Sequence, residues 1–303
     1  MRVAISGSTG LIGTALCRAL RSEGHEVVRL VRGAVDSGSS PDETVAIPWD
    51  PAADELDAGT LRGVDAVVNL SGRSIGARRW SATEKRELLE SRTHATGLLA
   101  RSIATLDDGP KIFLSASAIG FYGDRGDEEL TEESPAGTGF LSGLCVAWER
   151  STEPATEAGI RVATFRSGLV LSPKGGFLQR PTLLFKSFVG GRIGSGRQWW
   201  SWIALDDEVA AILFLLTHEL SGPVNLTAPA PVTNAEFTRA LAATLHRPAV
   251  LPVPRFAGRL VLGRELADEV VFSGQRVLPK KLADAGFVFG QPTVGPALRS
   301  VLG

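Results

Sequence analysis

The chain has one tyrosine, two cysteines, four histidines and one methionine in 303 residues. Cys17 and Cys145 stand too far apart to read as a disulfide framework, and His25, His94, His218 and His246 show no ligand spacing, so neither a disulfide nor a metal centre is expected. No charge sign dominates. The 32 basic and 33 acidic residues leave a formal net charge of -1 with no lysine-rich tail, which argues against nucleic acid or a membrane surface as partner. Long apolar runs are missing too: VAAILFLLTH (209–218) is about half of what a membrane span needs. The chain opens directly on a strand-like RVAIS without a basic-then-apolar leader. A soluble, cytoplasmic protein with a small-molecule partner is expected, and a homo-oligomer is left open.

With 44% hydrophobic residues the chain can bury a large core, as one domain with a lobe or as two domains. Short β-branched runs (RVAIS, EVVRLV, DAVVNL, KIFLSAS, RVATFRSGLV) alternate with helix-length amphipathic segments, the pattern of an α/β, Rossmann-type, doubly wound parallel sheet. Leu11, Ala15, Leu16 and Leu20 mark the first helix, and Gly24 stands where it stops. The most loop-like stretch is GAVDSGSSPDE (33–43). After residue 171 the alternation weakens. Residues 1–171, with 200–228 returning to them, are expected to form the nucleotide-binding domain, and 172–199 with 229–303 a smaller lobe over the strand ends.

ISGSTGLIG sets Gly7, Gly10 and Gly13 in a G-x-x-G-x-x-G pattern between a first strand and a first helix. Glycines there let the backbone turn tightly and approach a pyrophosphate, whose charge rests on the helix N-terminus; a plain structural turn is the alternative. An NAD-specific fold carries an acid at the end of the second strand for the ribose 2′-hydroxyl. Val31 and Arg32 stand there instead, and a guanidinium suits a 2′-phosphate, so NADP(H) is the expected cofactor unless Arg32 is merely a solvated strand-end residue. After the fourth strand, Leu70, Ser71 and Gly72 stand where small residues can pass along a dinucleotide, with a structural turn as the alternative.

Together with RRWSATEKRELLESRTHATGLLA, FLSASAIGFYG, FLSGLCVAWE, FRSGLVLSPKGG, GGRIGSGRQWWSWIALDDEVAAIL and SGQRVLPKKLADAGFVF, these segments make the chain resemble the extended short-chain dehydrogenase/reductase superfamily, in its atypical epimerase-family branch. That branch carries labels such as nucleoside-diphosphate-sugar epimerase and ends in a small domain of unknown function. The resemblance implies a Rossmann domain binding NADP(H), with Val31, Arg32, Leu70, Ser71, Glu87, Arg92 and Leu169 at family cofactor positions. Thr9, Leu11 and Ile12 of the glycine turn, with Ser115 at the fifth strand, complete the expected cofactor set.

Members that transfer hydride use a serine after the fifth strand and a Tyr-x-x-x-Lys pair on the next helix. Ser117 matches the serine. The pair is missing, because Leu141 falls at the tyrosine and Cys145 at the lysine. Tyr122, five residues after Ser117, cannot replace it as a base, since an isolated phenol keeps a pKa near 10. It could still donate to a substrate oxygen, or serve as a packing or contact residue. Cys145 reads as a buried helix residue or as a thiol near the nicotinamide.

Between Glu157 and Asp206 there is no acid, while Arg161, Arg166, Lys174, Arg180, Lys186, Arg192 and Arg197 all fall there. Such a stretch favours a phosphate-bearing small molecule. Arg197 with Trp200 and Trp202 makes a candidate substrate site, with core packing the alternative for the tryptophans. The acidic run 124–133 reads as a solvated loop with an acid/base role open for one carboxylate. Two functions follow: an NADP(H)-dependent oxidoreductase or epimerase acting on a small, phosphorylated or nucleotide-linked hydroxyl or carbonyl compound, and a non-catalytic NADP(H)-binding sensor or scaffold.

Overall fold

The computed structural model describes residues 1–33, 45–249 and 252–303, so most of the loop-like stretch named above, from residue 34 on, lies outside the described residues. The strands are β1 (Arg2–Ser6), β2 (Glu26–Arg32), β3 (Ala46–Trp49), β4 (Ala66–Asn69), β5 (Ile112–Ala118), β6 (Glu129–Leu130), β7 (Arg161–Ser167), β8 (Leu169–Leu171), β9 (Trp199–Trp200), β10 (Trp202–Ala204), β11 (Gly222–Leu226), β12 (Val232–Thr233) and β13 (Arg276–Val277). The helices are α1 (Leu11–Ser22), α2 (Ala82–Ala104), α3 (Phe140–Arg150), α4 (Glu153–Glu157), α5 (Gln179–Lys186), α6 (Leu205–Thr217), α7 (Asn234–Leu245), α8 (Arg255–Leu262), α9 (Arg264–Leu266), α10 (Lys280–Asp284) and α11 (Val294–Leu302).

Seven strands form one parallel sheet in the order β11-β7-β5-β4-β1-β2-β3, the doubly wound Rossmann-like arrangement that the alternation predicts. All strand ends carrying polar residues therefore meet along one edge. On one face, Leu16 and Leu20 of α1 pack with Ile212 and Leu215 of α6 over Val3, Val68 and Phe165. On the other, Leu98, Leu99 and Ile103 of α2 cover Val28, Val67 and Phe113. The strand β3 is absent from the alternation because its AIPW carries Pro48, which a sheet accepts at its edge, where β3 lies.

The lobe has a core of its own. Trp200 and Trp202 pack with Phe237 and Leu241 of α7 and Leu298 of α11, and α7 begins with a reciprocal capping box between Thr233 and Glu236. It is stitched to the sheet domain by β6–β13 pairing, with Arg276 matched to Glu129. No helix among the described residues is long and apolar enough to cross a membrane.

Candidate functional site

The turn from β1 into α1 is shaped by its glycines. Gly7 has φ +70°, a region costly for residues with a Cβ, and a Cβ there would lie 2.6 Å from the Leu70 carbonyl oxygen. At Gly13 a Cβ would lie 2.2 Å from the carbonyl oxygen of Gly7, so α1 starts hard against the turn. Gly10 differs: an added Cβ would meet only that same oxygen, at 3.3 Å, and otherwise points outward. Among the described residues no side chain caps α1, and no acid stands in its first turn, so its positive end is left uncompensated there. Thr9, Gly10 and Leu11 open into a cleft of about 460 Å³ whose far wall is Leu171–Gly175. An uncapped helix start behind a glycine cradle fits the pyrophosphate of a dinucleotide.

The neighbouring expected residues gather around this turn. Leu70 abuts Gly7, and Arg92 lies behind Gly72, its guanidinium donating to the carbonyl oxygens of Leu88 (3.0 Å) and Arg73 (2.8 Å). Burial pulls the Arg92 pKa down, and its Nε has no partner among the described residues. Glu87 is not free, since it is ion-paired with Arg73, which also reaches Glu84 at 3.2 Å. Ile12 is half-buried against the α1 side of the sheet, Val31 is half-buried and Arg32 exposed at the end of β2, and Leu169 is half-buried beside Trp202.

Two polar rows cross the sheet near its carboxyl edge, on the α2 face. In the first, Ser6, Asn69 and Ser115 are partners in register on β1, β4 and β5. Asn69 accepts from Ser6 at 2.7 Å and donates to Thr96 (2.7 Å) and Ser115 (3.1 Å). Ser115, expected at the cofactor, is thus fully buried and spent inside the protein.

The second row, two residues further on, is Ser117, Arg166 and Asn225 on β5, β7 and β11. Glu149 of α3 accepts from Ser117 (2.6 Å) and from Arg166 at 2.7 and 2.8 Å. Arg166 also donates to the Tyr122 hydroxyl at 2.9 Å, and that hydroxyl donates to Asn225 at 2.7 Å. The Arg166 guanidinium lies 3.4 Å from the centre of the Phe121 ring. The expectation of a substrate-facing Tyr122 is therefore corrected: its side chain is 0% exposed and its hydroxyl is engaged as donor and acceptor. Burial raises its pKa, against the opposing pull of Arg166. Ser117 is corrected with it, because its proton is committed to Glu149.

Leu141 and Cys145 fall on α3, where the helix N-terminus is capped from the lobe by Glu269, which accepts from the amides of Phe140 (2.9 Å) and Leu141 (2.8 Å). Cys145 is buried, and burial with Glu149 nearby pushes its thiol up to about 12, so it supplies no thiolate at neutral pH. Cys17 is buried and free as well.

The basic stretch disperses. Arg161 binds the carbonyl oxygens of Leu215, Leu216 and Leu220 behind the sheet, Arg166 serves the buried row, and Arg180 donates to Gly76. Trp200 and Trp202 are buried in the lobe core, which corrects their expected place in a substrate site: the lobe needs them as packing. Arg197 remains exposed and lines a second cleft of about 360 Å³ with Arg255, Gln198, Phe272 and the carboxylates of Asp124 and Asp127. Those two acids are tied down, Asp124 by the Gly274 amide at 3.1 Å and Asp127 by the Trp199 indole at 2.7 Å, and Glu132 is buried against the Asn225 and Lys281 amides. The acidic run is thus a solvent-exposed loop, as expected, that is also tied to the lobe and the sheet through Asp124, Asp127 and the buried Glu132. Among the described residues no cluster of metal-ligating side chains occurs.

Sequence reasoning missed Asn69, Glu149, Arg166 and Asn225 as network members, and Arg29, whose Nε donates to Ser8 in the glycine turn at 3.1 Å. A polar residue in or at the end of an apolar strand was the available signal for four of them.

The NAD dependent epimerase/dehydratase family matches residues 3–227, and a domain of unknown function (DUF1731) matches residues 253–301. The chain is similar to an epimerase family protein of Mycobacterium leprae, 48% identical over 297 residues, covering 98% of this chain and 94% of that protein. It is similar to the epimerase family protein SDR39U1 of Bos taurus, 37% identical over the full length of both. The crystal structure of human SDR39U1 with NADPH superposes with a TM-score of 0.89 at 33% identity, covering 99% of each chain.

Proposed function

Because the chain belongs to the NAD dependent epimerase/dehydratase family, we propose that it binds NADP(H) together with a small anionic ligand and works without the tyrosine-lysine proton relay, as a binding protein that senses or displays the cofactor. The observation that carries this is the state of its one phenol: Tyr122 is buried and bonded to Arg166 and Asn225. The glycine turn and the start of α1 would hold the pyrophosphate, Arg32 the 2′-phosphate, and Leu70–Gly72, backed by Arg92, the edge of the dinucleotide. The human relative's complex with NADPH supports the choice of cofactor. When bound, reduced cofactor supplies hydride. No side chain at the end of β5 is free to move the accompanying proton, since Ser117 and Tyr122 are both committed.

One observation favours the second reading, an NADPH-dependent reductase or epimerase: the 360 Å³ cleft with Arg197 and Arg255 is a ready place for a phosphate- or carboxylate-bearing compound. Fluorescence titration with NADPH, followed by absorbance at the reduced-nicotinamide band with carbonyl compounds and nucleotide sugars, separates the two. Saturable binding with no oxidation is expected; steady turnover of any compound in the panel replaces the sensor with the reductase.

A further inference from the structure

Arg29 lies mid-strand in β2, flanked in register by Ile5 of β1 and Ala46 of β3. Arg29 is the one charged residue between Val27 and Val31, and Val27, Val28 and Leu30 around it are buried. Its half-buried side chain runs up to the glycine turn, where Nε donates to the hydroxyl of Ser8, itself buried between Gly7 and Thr9. Among the described residues no carboxylate pairs with Arg29 and no other hydrogen bond engages its guanidinium. A partly desolvated guanidinium left without a counter-charge is costly, and an anion brought to it offsets that cost. Arg32, three residues on, projects from the opposite side of the pleat at the exposed end of the same strand.

We infer that Arg29, held in place by Ser8, is a second arginine for the 2′-phosphate of NADP(H), so that discrimination against NAD(H) belongs to the Arg29–Arg32 pair and not to Arg32 alone. The inference rests on the NADP(H) reading above. A phosphate on the adenosine ribose, entering between the glycine turn and the end of β2, meets one guanidinium from inside the turn and one from solvent. A bare 2′-hydroxyl gives neither cation its counter-charge, which penalises NAD(H). Ser8 acts as a positioning residue that fixes the plane of the guanidinium.

The test is equilibrium binding of NADPH, NADH, adenosine 2′,5′-bisphosphate and 5′-AMP to the wild type and to Arg29→Gln, Arg29→Lys and Ser8→Ala, with circular dichroism as the fold control. Arg29→Gln keeps an amide able to meet Ser8 but removes the charge. It should weaken NADPH and the bisphosphate by about ten- to hundredfold, the size of one charge-assisted contact, while leaving NADH and 5′-AMP unchanged. Arg29→Lys should fall between, and Ser8→Ala should cost a fewfold on the phosphorylated ligands only. An unchanged NADPH-to-NADH ratio in folded Arg29→Gln, or an equal loss for both cofactors, overturns the inference while leaving the NADP(H) reading intact. A wild type that binds NADH as tightly as NADPH overturns both, and is read before any variant is made.

Discussion

Thr9, Gly10 and Arg32 on one side of the sheet's carboxyl edge face outward, whereas Ser117, Tyr122 and Arg166 on the other are sealed into a bonded row. The same fold finishes its two halves in opposite ways. Between β1 and α1 the backbone is kept bare and the helix start uncapped, and among the described residues Arg29 beside the turn bonds only Ser8, which is how a protein leaves room for an anion. At the ends of β5, β7 and β11, Ser117, Tyr122 and Arg166 are spent on Glu149, Asn225 and one another. The half proposed to hold the cofactor is open; in the other half Ser117, Tyr122 and Arg166 are bonded inside the protein.

Breaking the open half should have the largest effect. Gly10→Val projects its side chain outward from the turn with only one tight contact, so the fold should survive while NADPH affinity falls more than roughly a thousandfold; titration beside circular dichroism checks it. Breaking the closed half should show in stability instead. Arg166→Met leaves the half-buried Glu149 carboxylate without its counter-charge and should cost about 2–4 kcal/mol in denaturant unfolding, with NADPH binding intact in the folded fraction.

A buried acid beneath the same edge sharpens the contrast through pH. Glu208 of α6 is fully buried, accepts from Ser167 at 2.5 Å, and is pushed by burial up to about 8. The folded state therefore holds a proton that the unfolded chain releases near the ordinary carboxylate value. Stability from this group is full below that value and is lost as pH rises through about 8. The loss between pH 5 and 8 should be on the order of 3 kcal/mol. Glu208→Gln should flatten this slope in thermal melts, most visibly at the alkaline end.

How much of this the sequence discloses differs between the halves for a physical reason. The glycine turn is local: Gly7, Gly10 and Gly13 act on one another across seven residues, and a strand and a helix flank them, so spacing alone locates the turn. The α/β alternation is local in the same sense. The closed row is not. Tyr122 and Asn225 are 103 residues apart, and only the strand order β11-β7-β5 brings them together. From the sequence, Tyr122 is the one phenol near the end of β5 and so a catalytic candidate; nothing local reveals that Arg166 and Asn225 already claim its hydroxyl. Trp200 and Trp202 read as a stacking site for a similar reason, since the α7–α11 core that buries them lies thirty to a hundred residues downstream. The same distance hides Glu269, which caps α3 from the lobe.

The measurement that bears most directly on the contrast is Tyr122→Phe, read three ways on one preparation: unfolding free energy, NADPH affinity, and NADPH oxidation against the carbonyl and nucleotide-sugar panel. Deleting the hydroxyl leaves Asn225 and Arg166 each short of one buried partner. Stability should therefore drop by about 1–2 kcal/mol while affinity and the oxidation rate stay where they were. A variant that keeps full stability and NADPH affinity but loses turnover would contradict the account, because the phenol would then be reaching a substrate and the second half of the edge would be open after all.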